Sequence, residues 1–294
     1  MMHPMTFRFF LGLDGGGSLC RARLTDQNGT IIGEAESGSC NIRLGTETAW
    51  ASINTAIDLC LRKAGLDEAK DRQNIRAVFG LAGFAQTDDP AFLSHTHGLG
   101  SLTVTSDAHI ACTGAFGETD GAILILGTGS AGYGRVNGRE VSVGGWGFEV
   151  SDHGSGSWIG RKAVEYALLA LDGLWEKTLL TGMIMKPFNY DPKAVVSWTS
   201  TARPKDYANF APTVFDAEKR QDTTARMIID AAARDASAMI HRLVELGAPS
   251  VCLSGGLAAR LKSFLAPQAK SFLCAPLADP LAGAILLARR VTEG

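Results

Sequence analysis

Phe7-Arg8-Phe9-Phe10-Leu11-Gly12-Leu13 runs straight into Asp14-Gly15-Gly16-Gly17-Ser18, and about 110 residues later Ala122-Ile123-Leu124-Ile125-Leu126 runs into Gly127-Thr128-Gly129-Ser130. Each apolar run reads as a strand, and each is followed by a glycine turn that ends in a hydroxyl residue. A second alternating run comes next, then an Asn-Gly pair (Asn28-Gly29 and Asn137-Gly138), then a further run. Asn-Gly between alternating runs signals a hairpin, because both residues accept the positive φ of a type I′ turn. The chain therefore carries one device twice, which predicts two similar domains.

Other segments fit around those hairpins. Apolar residues at Trp50, Ile53, Ala56, Ile57, Cys60 and Leu61 give Glu47 to Ala64 a helical stripe, which stops near Gly65. Ala77 to Gly83 and Leu102 to Thr105 read as strands, Ile159 to Leu171 and Thr223 to Leu246 as helices. Val251 to Leu253 reads as a buried strand, followed by Ser254-Gly255-Gly256 and a helix from Leu257 to Leu265. Strands and helices in alternation predict an α/β protein with mixed sheets.

Composition narrows the class. The 294 residues include 34 glycines, where average usage of about 7% would give roughly 20. Fourteen of them fall between Gly114 and Gly160, against five between residues 161 and 282. Glycine gathered beside strands marks places where the backbone must approach a ligand or another element closely. With 28 Lys and Arg against 30 Asp and Glu, the net charge of −2 offers no electrostatic footprint for nucleic acid or an anionic membrane. The six cysteines (20, 40, 60, 112, 252 and 274) contain no C-x-x-C spacing, which argues against a zinc ribbon or a clustered iron–sulfur site. No apolar run approaches the roughly 18 residues of a membrane span, and Arg8 and Asp14 interrupt any signal-peptide core. The expectation is a cytoplasmic, enzyme-sized protein with reduced thiols.

Three constellations carry chemistry. The turn Gly15 to Ser18 can aim several backbone N–H groups and a hydroxyl at phosphate oxygens, and Gly127 to Ser130 repeats it. A carboxylate beside phosphate makes sense near Mg²⁺, which points to Asp14. Neither turn matches the spacing of a P-loop or of a Rossmann fingerprint. Asp107 ends a strand, where it serves equally well as a general base or as part of a helix cap with Ser106. Gly144-Gly145-Trp146-Gly147 followed by Asp152 offers an aromatic face and an acceptor suited to a sugar; a core Trp146 and a capping Asp152 are the alternatives. His95-x-His97 lacks a third metal ligand and reads as a solvated loop, while His109 and His241 read as satisfied structural histidines.

Taken in order, Asp14-Gly15-Gly16-Gly17-Ser18, Asn41, Ser106-Asp107-Ala108, Gly127-Thr128-Gly129-Ser130, Gly145-Trp146-Gly147, Asp152 to Ser155 and Ser254-Gly255-Gly256 resemble the N-acetylglucosamine kinase and glucosamine kinase group. That group is catalogued with the BadF/BadG/BcrA/BcrD-type ATPases, in the sugar kinase, heat-shock protein and actin superfamily. The resemblance spans residues 7 to about 290. It implies duplicated actin-like (ribonuclease H-like) ATPase domains with an interdomain cleft: residues 1–107 with a closing helix 280–294, and residues 108–279. It further implies that Gly15, Gly16, Gly17, Ser18, Gly127, Thr128, Gly129 and Ser130 hold the phosphates of ATP, and that Ser254, Gly255 and Gly256 lie against adenosine. Asp107 would be the base for the sugar 6-hydroxyl. Asn41, Asp107, Gly145, Trp146 and Asp152 would surround the sugar, and Asp14 would reach Mg²⁺ through water. A homodimer is also implied, with no nucleic-acid or membrane partner.

The chain departs from the group's pattern at Leu19-Cys20, Ser151 and His153, the last two beside the implied sugar site. Two other readings share the turns. One is an ATPase that activates a partner enzyme, as acyl-CoA dehydratase activators do; it would need clustered cysteines. The other is a non-enzymatic sugar sensor.

Overall fold

The computed structural model describes residues 7–16, 19–40, 45–84 and 90–290, with the backbone alone at Pro90 and Ala91. Gly17, Ser18 and Asn41 lie outside the described residues. The chain forms two compact units: the residues through Thr119 together with those from Pro276 onward, and Asp120–Ala275.

The first unit holds strands β1 (Phe9–Gly15), β2 (Cys20–Asp26), β3 (Ile31–Ser37), β4 (Ile75–Leu81) and β5 (Ser101–Ser106), in the order β3-β2-β1-β4-β5. The first hairpin makes β1, β2 and β3 antiparallel, whereas β4 and β5 run parallel to β1. The second unit repeats this with β6 (Gly121–Leu126), β7 (Ser130–Val136), β8 (Arg139–Gly144), β9 (Val251–Ser254) and β10 (Leu273–Cys274), ordered β10-β9-β6-β7-β8 with the same senses. The duplicated actin-like architecture expected from the sequence is therefore present, sheet for sheet.

The two Asn-Gly turns differ in detail. Asn137 and Gly138 both have positive φ, as a type I′ turn demands. In the first hairpin only Gly29 does, at +88°. There the Asp26 carboxylate accepts the N–H groups of Asn28 and Thr30, each at 2.9 Å, and the Gly29 N–H bonds the Asp26 carbonyl. This is a longer turn closed by a left-handed glycine.

Two helices close on each other in the first unit. A Cβ on Gly283 would lie 2.0 Å from the Ile110 carbonyl oxygen, and one on Gly114 would lie 2.2 Å from that of Asp279. Only glycine allows helix Asp107–Phe116 to meet helix Pro280–Arg289 so closely. That contact ties Asp107–Phe116 to the first unit and moves the division between units to 119/120, away from the expected 107/108. Asp279 caps Pro280–Arg289 through the Ala282 N–H at 2.8 Å and binds Arg23 through both oxygens, at 2.9 and 2.7 Å.

Each unit has its own core. In the first, Trp50, Ile53, Ile57 and Leu61 of helix Thr46–Lys63 pack on Leu11, Leu13 and Phe79 of the sheet. His95 and His97 stack on Trp50, with ring centroids 4.6 and 5.9 Å away. The Leu99 N–H donates to His97 Nδ1 at 3.0 Å, and burial holds the His97 imidazole below its ordinary pKa. These rings are packed against a tryptophan, which corrects the reading of a solvated loop.

In the second unit, helices Gly156–Leu171 and Thr223–Glu245 share one core with β6 and β9. Between them stand the short helices Leu179–Met185, Pro192–Thr199, Pro204–Ala208 and Ala211–Lys219, which the sequence pattern did not foresee. His109 meets Thr105 Oγ1 at 3.0 Å, as a structural histidine should, but His241 Nε2 is buried with no hydrogen-bond partner among the described residues. Among the described residues no helix is long and apolar enough to cross a membrane.

Candidate active site

The first unit gathers its chemistry at the carboxyl ends of three parallel strands, where open α/β sheets bind ligands. Gly15 ends β1, Leu81 ends β4 and Ser106 ends β5, and they are neighbours in register. The turn after β1 is closed by the Gly16 N–H donating to the Leu19 carbonyl at 2.9 Å. A Cβ on Gly15 would meet Cys40 Sγ at 2.5 Å and Leu81 Cδ2 at 2.4 Å, so that glycine is needed for packing beneath the turn. Asp14 pairs with Arg21, its register partner across the hairpin.

Asp107 opens helix Asp107–Phe116, yet it is not the cap. Ser106 takes that role: its Oγ accepts the His109 N–H at 3.1 Å. Asp107 Oδ1 accepts the Ala108 N–H, at 2.9 Å. Burial pushes the Asp107 carboxyl above the ordinary carboxylate range, the nearby Asp14 charge adds to this, and the Ala108 N–H opposes it. A half-buried carboxylate with a raised pKa at a strand end is suited to taking a proton.

In the second unit, Gly127 closes the turn by donating its N–H to the Gly129 carbonyl at 2.9 Å. The carbonyls of Gly127 and Thr128 accept from Gly156 and Ser157, at 2.8 and 3.1 Å, which fixes the turn over the N-terminus of helix Gly156–Leu171. The Thr128 and Gly129 N–H groups have no acceptor among the described residues. Free N–H donors above a helix N-terminus make an anion site.

Asp152 explains why this turn holds its shape. It is buried at 8% exposure, accepts the Ser130 N–H at 3.4 Å, and lies where a Cβ on Gly129 would be only 2.8 Å from its Oδ2. Burial raises its pKa, the Ser130 N–H opposes that, the Glu149 charge adds to it, and His153 works against it. Helix Gly156–Leu171 is capped by Ser155, whose Oγ accepts the Trp158 N–H at 3.2 Å. Asp152 is thus freed from capping and sits against the second glycine turn. Trp146 is 77% exposed, on a loop where Gly144, Gly145 and Gly147 all have positive φ. Its ring is available for stacking, and it is not a core residue.

Gly127, Thr128, Gly156 and Gly256 line one cavity of about 350 Å³ with Ala208, Ala211, Pro212, Leu257 and Arg260. That volume lies in the range of ligand pockets. A Cβ on Gly127 or Gly256 would meet nothing within 4 Å, so both open onto free space. Gly255 differs: its φ is +93°, and a Cβ would lie 2.4 Å from the Leu126 carbonyl oxygen. The Arg260 guanidinium stands over the Phe215 ring at 5.8 Å. Sequence reading missed Arg260, Ala208 and Pro212, since a lone Arg in a short helix and small residues in an unforeseen helical segment carry no motif. A larger groove of about 1010 Å³ along helix Thr223–Glu245 shares no residue with either glycine turn.

The residues present suit a hydrated Mg²⁺. Asp14 and Asp107 supply hard oxygen atoms close enough for their charges to interact, at the mouth of a glycine turn. No group of three or more His, Cys, Asp or Glu among the described residues forms an all-protein metal cage, and a Mg²⁺ bound mainly by water and phosphate does not require one.

The sequence profile of the BadF/BadG/BcrA/BcrD ATPase family matches residues 11–288. A glucosamine kinase of Vibrio cholerae is 37% identical over 281 residues, 95% of each chain. An N-acetylmuramic acid/N-acetylglucosamine kinase of Clostridium acetobutylicum is 28% identical over 81% of this chain and 80% of its own. The solved structure of a presumed N-acetylglucosamine kinase of Chromobacterium violaceum superimposes with a TM-score of 0.90 at 31% identity, covering 97% of this chain and all of the other.

Proposed function

The chain belongs to the BadF/BadG/BcrA/BcrD ATPase family, and from that membership we propose that it is an ATP-dependent kinase that phosphorylates the 6-hydroxyl of glucosamine or N-acetylglucosamine. The observation that carries the reading is the second glycine turn: Gly127 and Thr128 line the 350 Å³ cavity, and the Thr128 and Gly129 N–H groups find no acceptor among the described residues. The Vibrio cholerae relative supports glucosamine as the first acceptor to test.

The roles follow from the chemistry of each group. Thr128 and Gly129 bind phosphate through their amides, while Asp152 fixes the turn that presents them. Gly256 and Gly127 leave room for adenosine, which Arg260 covers. Gly15 and Gly16, with Gly17 and Ser18 beyond the described residues, hold the transferred phosphate. Asp107 accepts the proton of the sugar hydroxyl as that oxygen attacks phosphorus. Gly145, Trp146 and Asp152, together with Asn41, receive the sugar. When bound, Mg²⁺ neutralises charge building on the phosphate oxygens, and Asp14 and Asp107 are the residues that would hold its water shell.

A coupled assay with ATP and a panel of glucosamine, N-acetylglucosamine, N-acetylmuramic acid and glucose tests this reading. Turnover on an amino sugar, lost by about a hundredfold or more in Asp107→Asn, is the expected result. Wild-type turnover in that variant removes the base from Asp107, and ATP hydrolysis indifferent to every sugar removes the kinase.

A further inference from the structure

Cys252 and Cys274 lie 22 residues apart in sequence but face each other across the parallel pair β9–β10, where they are register partners. Their Sγ atoms are 3.2 Å apart. Parallel neighbours run about 4.8 Å apart, inside the Cα separation of about 4.4–6.8 Å that a disulfide spans. The two thiols differ in access. Cys274 is exposed and donates to Ser250 Oγ at 3.4 Å, whereas Cys252 is buried at 1% exposure. The other four cysteines are all buried. Burial pushes the Cys60 thiol up to about 12, which leaves it inert as a nucleophile.

We propose that Cys252 and Cys274 form a reversible disulfide site, with Cys274 as the residue a peroxide reaches and Cys252 as the residue that resolves it. The Cys274 thiolate attacks one oxygen of hydrogen peroxide and the O–O bond breaks, giving a sulfenic acid and water once protons are taken up. The Cys252 sulfur then displaces the hydroxyl oxygen from Cys274, the S–S bond forms, and a second water leaves. In sum two thiols lose two electrons and two protons, and one peroxide becomes two waters.

Closure reaches a second site. Cys252 stands two residues before Ser254, the last residue of the same short strand, and three before Gly255. The turn beyond the strand is held close to Leu126: a Cβ on Gly255 would lie 2.4 Å from the Leu126 carbonyl oxygen, and the Leu257 N–H is bonded to that carbonyl at 2.9 Å. Drawing the sulfurs from 3.2 Å to about 2.05 Å pulls on a strand whose end cannot yield without disturbing the Ser254–Gly256 turn. This consequence, unlike the bond itself, rests on the assignment of that turn to the nucleotide.

Treatment of the full chain with hydrogen peroxide, followed by alkylation and peptide mapping, tests the bond. The expected product is a single linked peptide pair joining Cys252 to Cys274, released by dithiothreitol and absent from Cys274→Ser. Over-oxidised Cys274 with Cys252 still alkylated, or a link from Cys274 to any other cysteine, overturns it. Calorimetric titration of reduced and linked protein with ATP tests the coupling, with binding expected to weaken about fivefold or more on linking. Equal affinity overturns the coupling and leaves the bond standing. Absence of ATP binding in the reduced protein overturns the nucleotide reading and the coupling together, while the mapping still decides the bond.

Discussion

Asp107 is held above the ordinary carboxylate range chiefly by burial, with the Asp14 charge adding to it. A base must be ionised to work, so its raised pKa places the acid limb of kcat/KM above the ordinary Asp value of about 3.9. The same shift has a stability sign. A folded state that prefers the protonated carboxyl loses that contribution as pH rises through the folded pKa. Asp107→Asn is therefore expected to raise Tm at neutral pH while activity collapses, a pairing that a merely structural residue would not show; a lowered Tm in a thermal melt speaks against it. Arg260 makes a milder prediction. It lines the cavity, and a cation–π contact from its guanidinium to the adenine ring would be worth about 1 kcal/mol at an exposed site, so Arg260→Ala should raise the KM for ATP roughly fivefold with kcat little changed, read from initial rates. The sequence left Asp107 open between base and cap because both roles call for a carboxylate between a strand and a helix. Only coordinates show that Ser106 has taken the cap.

At the scale of elements, helix Pro280–Arg289 depends on one residue at its start. Burial alone would raise the Asp279 pKa, but the Arg23 guanidinium and the Ala282 N–H together hold it below the ordinary value. A depressed folded pKa gives stability that is present above about pH 3.9 and lost as pH falls through the folded value. Asp279→Ala should cost about 1–2 kcal/mol through the lost cap, measured by urea unfolding at neutral pH, and the difference from wild type should shrink in acid. Both glycine hairpins were legible, since alternating runs around Asn-Gly admit few other structures. The turn type at Asn28-Gly29 was not, because the Asp26 side chain decides it from outside the pair. The short helices between Leu179 and Lys219 are too brief to establish a period. Leu273–Cys274 is a strand of two residues that exists only through pairing with β9, so the cysteine pair it creates had no sequence signal.

For the molecule as a whole, the repeated sheet order and the separate cores predict stepwise unfolding. Scanning calorimetry should give a van't Hoff enthalpy well below the calorimetric one, and a ratio near unity would mean that the two units melt as one. The duplication itself was visible in the sequence, because the hairpin device repeats with its glycines; the division at 119/120 was not, because it is set by the Gly114 and Gly283 contacts. Those contacts also govern the order of biosynthesis. Val78 and Ile110 are covered by Ala284 and Ala288, which a ribosome adds only after all of Asp120–Ala275. At about 5–20 residues per second the first unit waits roughly ten to thirty seconds for its last helix. During that interval the nascent chain displays an apolar face that a holdase can grip, and a message truncated anywhere in the second unit leaves that face bare for a protease to find.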